Sequence, residues 1–82
     1  MLQPLSLEVD YEVDAGYVSY RELPPGEHVA RTARVSQDVI IDYNGAGEIL
    51  GIELLAFDEP ALSVARAFAD ANALAFPDLK VA

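Results

Sequence analysis

The stretch Asp42-Tyr43-Asn44-Gly45-Ala46-Gly47-Glu48-Ile49-Leu50-Gly51-Ile52-Glu53-Leu54-Leu55 constrains the fold of this chain more than any other. It sets a turn sequence between two apolar runs, Val39-Ile40-Ile41 before it and Ile49 onward after it. Asn and Gly accept positive φ, so Asn44-Gly45-Ala46-Gly47 predicts a reversal joining two antiparallel strands. In the second strand Leu50, Ile52 and Leu54 take one face, and Ile49, Gly51, Glu53 and Leu55 take the other. Glu53 then stands in apolar company, where a carboxylate must be paired, edge-exposed or protonated. Arg31, Arg34 or a partner chain are the candidates to pair with it.

The same stretch imitates a calcium loop. With Asp42 as position one, Asn44 falls at three, Gly47 at six, Glu48 at seven and Glu53 at twelve, close to an EF-hand loop. Three features oppose that reading. Position five is Ala46, which has no side-chain oxygen. The entering residues are β-branched, and the leaving ones include Gly51 within a strand-like run, so neither flank reads as a helix. A hairpin is the better reading, and no metal site is expected.

Upstream, Leu5, Leu7, Val9, Tyr11 and Val13 alternate with Ser6, Glu8, Asp10, Glu12 and Asp14, the period of a half-buried strand with one acidic face. Asp14-Ala15-Gly16 predicts a turn with Gly16 left-handed, and residues 17–23 a second strand ended by Pro24-Pro25-Gly26. Residues 29–35 make a third strand, Ser36-Gln37-Asp38 a turn and Val39–Tyr43 a fourth strand. A helix follows the fifth. Asp58 suits its N-cap, Glu59 its dipole, and Pro60 its first turn, where N–H groups have no intrahelical partner. Ala61, Leu62, Ala65, Phe68, Ala69 and Asn72 share one side, and fraying is expected from about Leu74.

Fourteen Asp and Glu against five Lys and Arg give a net charge of −9, which repels phosphate backbones and favours a basic partner. Neither cysteine nor a long apolar run occurs, so disulfides and a membrane span are not expected. Met1-Leu2-Gln3-Pro4 lacks the pattern of a secretory leader, and a cytoplasmic location is expected. His28 is the one histidine, in a Pro/Gly-rich loop with no nucleophile pattern beside it. Gly45-Ala46-Gly47 does not open a helix after a strand, so it is no dinucleotide fingerprint. The expectation is a chain that is not an enzyme and carries no catalytic residue and no cofactor.

Tyr11-Glu12-Val13-Asp14-Ala15-Gly16-Tyr17-Val18-Ser19-Tyr20, then Arg31-Thr32, then Val39-Ile40-Ile41-Asp42-Tyr43, then Gly47-Glu48-Ile49-Leu50-Gly51-Ile52-Glu53-Leu54-Leu55 resemble one small prokaryotic family, domain of unknown function 2283. The resemblance covers residues 7–57, with Gly51-Ile52-Glu53-Leu54-Leu55 its most specific part. Tyr11-Glu12 departs from the family's Tyr-Asp, and Asn44 and Ala46 stand where acidic residues are common. The resemblance implies a meander sheet with a helix and no established activity. Some similar proteins lie beside basic ribonuclease-like toxins, which implies an antitoxin role by association.

The reading is therefore an α+β domain over residues 1–82: an antiparallel meander sheet of about five strands over 5–57, one C-terminal helix over 58–74 packed on one face, and a tail over 75–82. A helix about 22 Å long and 10 Å wide covers roughly half of one face of such a sheet. The surplus apolar surface predicts a protein-interaction module, homodimeric through Tyr17, Ile49, Glu53 and Leu55, with a basic, antitoxin-type partner as the sharper form. The rival is a carboxylate enzyme or divalent-metal binder using Asp14, Asp42 and Glu53. Calcium titration calorimetry is expected to show nothing tighter than about millimolar; micromolar binding would overturn the hairpin reading.

Overall fold

A computed structural model describes residues 1–79. Five strands, β1 (Ser6–Asp10), β2 (Ala15–Ser19), β3 (Arg31–Ser36), β4 (Val39–Tyr43) and β5 (Ile49–Leu54), form one antiparallel sheet, and one helix, α1 (Glu59–Ala71), follows. This is the expected α+β class. The strand order corrects the meander: it runs β1-β2-β5-β4-β3, with β5 between β2 and β4. Burial explains the exchange. Every residue of β5 is buried except the half-buried Glu53, so this strand takes the centre, where both edges are paired. β3 is largely exposed and takes the far edge, and the loop over residues 20–30, with Pro24 and Pro25, carries the chain there.

The β1–β2 turn also differs from expectation. Asp10 pairs with Ala15, and Tyr11-Glu12-Val13-Asp14 forms the loop, with Asp14 at φ 51° as its left-handed residue. The Asp10 carboxylate holds the loop by accepting from the Glu12 N–H at 3.0 Å. Gly16, expected at the turn, lies buried in β2. A Cβ there would come within 2.7 Å of the Phe57 ring, so the residue makes room for an aromatic lid.

The β4–β5 hairpin forms as expected. Asn44 Oδ1 accepts from the N–H groups of Ala46 at 3.0 Å and Glu48 at 2.9 Å, and Gly47 closes the turn at φ 81°. A bulge breaks the expected alternation just after it. Asp42 faces Gly51 but Tyr43 faces Ile49, leaving Leu50 as the extra residue. Ile49 therefore joins the core under the helix, away from Glu53, and Leu50 lines a hollow on the opposite face with Tyr17 and Ser19.

Asp58 caps α1, accepting from the Ala61 N–H at 2.9 Å. Ala61, Leu62, Ala65 and Ala69 are its buried face, and three alanines let it lie close over β5, β4 and β3. The helix stops short of the expected 74. Asn72 is its exposed C-cap rather than a core residue, and Ala73 follows at φ 56°. The Leu74 N–H bonds to the Ala69 carbonyl at 2.9 Å, the Schellman pattern with alanine where glycine is usual. No fraying follows. Leu74 and Leu79 are core residues, the Tyr20 hydroxyl donates to the Ala75 carbonyl at 2.9 Å, and Leu2 bridges in parallel to Leu74. Residues 80–82 of the expected tail lie outside the described residues. Among the described residues no helix is long and apolar enough to cross a membrane.

Replacing Gly47 by Val is expected to lower the unfolding free energy by more than about 1 kcal/mol, because a β-branched residue is strained at its positive φ. Gly45, with open space around it and no positive φ, is the control. Equal urea midpoints for the wild type and Gly47→Val would refute the requirement.

Candidate functional site

One face of the sheet carries the helix, and among the described residues no helix or strand packs on the other. Register assigns residues to each. Leu7, Val18, Ile52, Ile41 and Ala33 lie side by side across the strands on the helix face. The next row, Glu8, Tyr17, Glu53, Ile40 and Arg34, points to the open face, as does the row Ser6, Ser19, Gly51, Asp42 and Thr32. The centre of the open face is thus acidic and aromatic, and the arginine in these rows, Arg34, stands at the far edge.

Tyr17 organises this face. Its hydroxyl donates to Asp42 Oδ2 at 3.0 Å, reaching from β2 across β5 to β4. It can do so because β5 offers Gly51 at the crossing point: a Cβ there would overlap the Tyr17 ring and hydroxyl. Glu53 is the direct cross-strand neighbour of Tyr17. Burial, then the hydrogen bond to Asp42, then the charges of Asp42 and Glu53, hold the Tyr17 phenol well above its ordinary range. On the opposite face burial pushes Tyr20 up to about 12.

Two shallow hollows, both open to solvent, flank the Tyr17 ring. Ser19, Arg21, Leu23, Val29 and Leu50 line one of them. Glu8, Asp10, Ala15, Glu53 and Leu55 line the other, where Leu55 is 41% exposed.

Of the expected site residues, Tyr17 and Glu53 sit together with Asp42, and Leu55 lies at their margin. Ile49 is removed to the core by the bulge. Asp14 stands exposed at the tip of the β1–β2 hairpin, so Asp14, Asp42 and Glu53 are not brought together. Among the described residues no group of three or more His, Cys, Asp or Glu is placed to hold a metal ion. Neither arginine expected to pair with Glu53 does so. Arg31 lies over the Tyr43 ring at 3.9 Å, and Arg34 donates to the Gln37 carbonyl. Arg21, not singled out by the sequence, pairs with Glu48 at 3.4 Å and donates to the Ile49 carbonyl at 2.7 Å. The Tyr17–Asp42 bond was also hidden. Its one sequence signal was the glycine inside an apolar strand, where a close approach is the usual reason.

The sequence model of a family described as Protein of unknown function (DUF2283) matches residues 7–57, more than half of the chain. That span holds all five strands except the first residue of β1, and all of the Tyr17, Asp42, Gly51 and Glu53 constellation. No curated protein and no solved structure matches the chain.

Both raised phenols stabilise the fold in their neutral form. Their contribution is complete below the unfolded value near pH 10 and is lost as pH climbs through the folded values. Folding stability is therefore expected to fall above about pH 10, with the late phenolate absorbance appearing together with unfolding. Tyr17→Phe removes one late-titrating group and keeps the other. Full phenolate absorbance with an unchanged circular dichroism spectrum would contradict this.

Proposed function

The chain belongs to the family described as Protein of unknown function (DUF2283), and we propose that it is a non-enzymatic protein-interaction module. It works as a homodimer and offers the open face of its sheet to a basic protein. The sharpest form of this reading is an acidic, antitoxin-like cover for a basic toxin.

The observation that carries the proposal is the row Glu8, Tyr17, Glu53 on the open face, with Asp10 and Asp42 beside it. An aromatic ring framed by carboxylates suits arginine and lysine side chains, because the ring face attracts a cation and the carboxylates neutralise it. Tyr17 is held in place by its bond to Asp42 and by the gap at Gly51, so little ordering is needed on binding. The net charge of −9 steers a basic partner from a distance. The rival reading, a carboxylate enzyme or divalent-metal binder, needs Asp14, Asp42 and Glu53 in one place. Asp14 lies at a hairpin tip, and Asp42 accepts the Tyr17 hydroxyl.

Glu8→Lys with Glu53→Lys tests the surface. Immobilised wild type is expected to retain arginine-rich protein, and the double variant to lose at least about tenfold in affinity. Wild-type retention is also expected to disappear near 1 M salt, where the screening length is about 3 Å. Equal retention by the two proteins would overturn the proposal.

A further inference from the structure

We infer that the β1 edge is the seam of the homodimer, with β1 pairing to β1 of a second copy about a two-fold axis at Leu7. This rests on the homodimer reading and adds where and in what register the copies meet.

The two edges of the sheet are treated differently. β3 carries Arg31 and Arg34 and a register break between Arg34 and Ser36, features that discourage pairing with another strand. β1 has no bulge, no proline and no basic residue. Its apolar row points to the helix side, where Leu7 faces Val18 and Val9 faces Gly16. Yet α1 lies over β3, β4 and β5 and does not reach β1. Leu7 remains 39% exposed and Leu5 58% exposed. Among the described residues, a bare backbone edge and an apolar row that is only partly covered coincide on this one strand.

The backbone pattern shows which residues are free to pair. In an antiparallel ladder the N–H and C=O of one residue address the same neighbour, and successive residues alternate. The Tyr20 N–H bonds to Leu50, next to β5, so Val18 also addresses β5, and Tyr17 and Ser19 address β1. Their partners Glu8 and Ser6 are therefore turned inward. Leu7 and Val9 turn their backbone groups outward. The Leu5 N–H is committed to the Ser19 carbonyl at 2.7 Å, which leaves its own carbonyl for pairing.

Charge and the committed Leu5 N–H together select the register, because a two-fold at Ser6 or Leu5 would need that N–H for pairing. A two-fold at Glu8 would set Glu8 directly against its counterpart, and one at Val9 would set Glu8 against Asp10, each a like-charge clash. A two-fold at Leu7 sets Leu7 against Leu7, Leu5 against Val9 and Ser6 against Glu8. No two carboxylates then stand opposite each other. The two Leu7 residues exchange both backbone bonds, and each Val9 N–H meets a Leu5 carbonyl. The apolar rows meet on the helix side, and the two acidic faces become continuous on the other.

Five strand residues give a seam only about 17 Å long, so the interface falls at the small end of specific ones, and a micromolar dissociation constant is expected.

The chain has no cysteine, so single-cysteine variants report cleanly. At a hydrogen-bonded two-fold pair the Cα atoms lie about 5.5 Å apart, within disulfide reach. The expected results are a dimer by light scattering at high micromolar wild type, disulfide capture by Leu7→Cys, and none by Val35→Cys on the β3 edge or Leu55→Cys on the open face. Leu7→Lys is expected to be a folded monomer by circular dichroism and light scattering. A Leu7→Lys dimer, or capture by Leu55→Cys in place of Leu7→Cys, would overturn the seam and leave the homodimer standing. A monomeric wild type at high micromolar concentration would overturn both.

Discussion

β5 governs the arrangement of everything else. Ile49, Leu50, Ile52 and Leu54 are all buried, and burying each such side chain is worth about 1.5–3 kcal/mol relative to leaving it exposed. At a sheet edge the strand would keep part of that surface in water and leave a row of backbone groups without partners. In the centre it has β2 on one side and β4 on the other. The consequences spread outward. β3 is displaced to an edge, and the loop over residues 20–30 must pass the end of the sheet to deliver it. The short Asn44–Gly47 turn is what keeps β4 beside β5, and Asn44 secures that turn through its own side chain.

Central placement also explains how a polar constellation comes to lie on an apolar strand. Gly51 removes one side chain from the middle of the open face, and the Tyr17 ring fills the space from the neighbouring strand. The ring thereby shields part of β5, and its hydroxyl finds Asp42. Glu53 lies half-buried at the margin of this ring, lining a hollow that solvent reaches. The same four positions thus serve packing and present a surface; replacing the glycine would disturb both.

Much of this was legible in the chain. Alternation found β1, though it ran on into the Tyr11–Asp14 loop, turn residues bracketed the later strands, and Asp58, Glu59 and Pro60 located the helix start, since each acts through neighbours in sequence. The positive φ at Gly47 was also readable, for the same reason. Strand order was not, because it depends on which strand gains most from two neighbours, a comparison across the whole sheet. The bulge at Leu50 was invisible for a related reason: it is a mismatch between β4 and β5, and one extra residue sent Ile49 to the core. The helix end escaped because Ala73 takes the left-handed conformation usually left to glycine, and the β1–β2 turn was misplaced because Asp14, not Gly16, takes it there. Within the site, Glu53 was legible as a carboxylate in apolar company, but its neighbour is Tyr17 and not an arginine.

The layers do not match in size, and this mismatch is the link from fold to function. A thirteen-residue helix is about 20 Å long and lies over three of the five strands. The segment after it, with Leu74 and Leu79, extends the cover and is tied to the N-terminus through Leu2. That strap fixes the chain just before β1 but does not bury the strand, whose apolar row still protrudes. Among the described residues no element layers the open face, whose central rows carry Glu8, Glu53 and Asp42 around the anchored Tyr17 ring. The two exposed surfaces therefore differ in chemistry, one apolar and edge-like, the other acidic and flat. A partner suited to one is poorly suited to the other, so the proposed second copy and the proposed basic protein would not compete for the same surface.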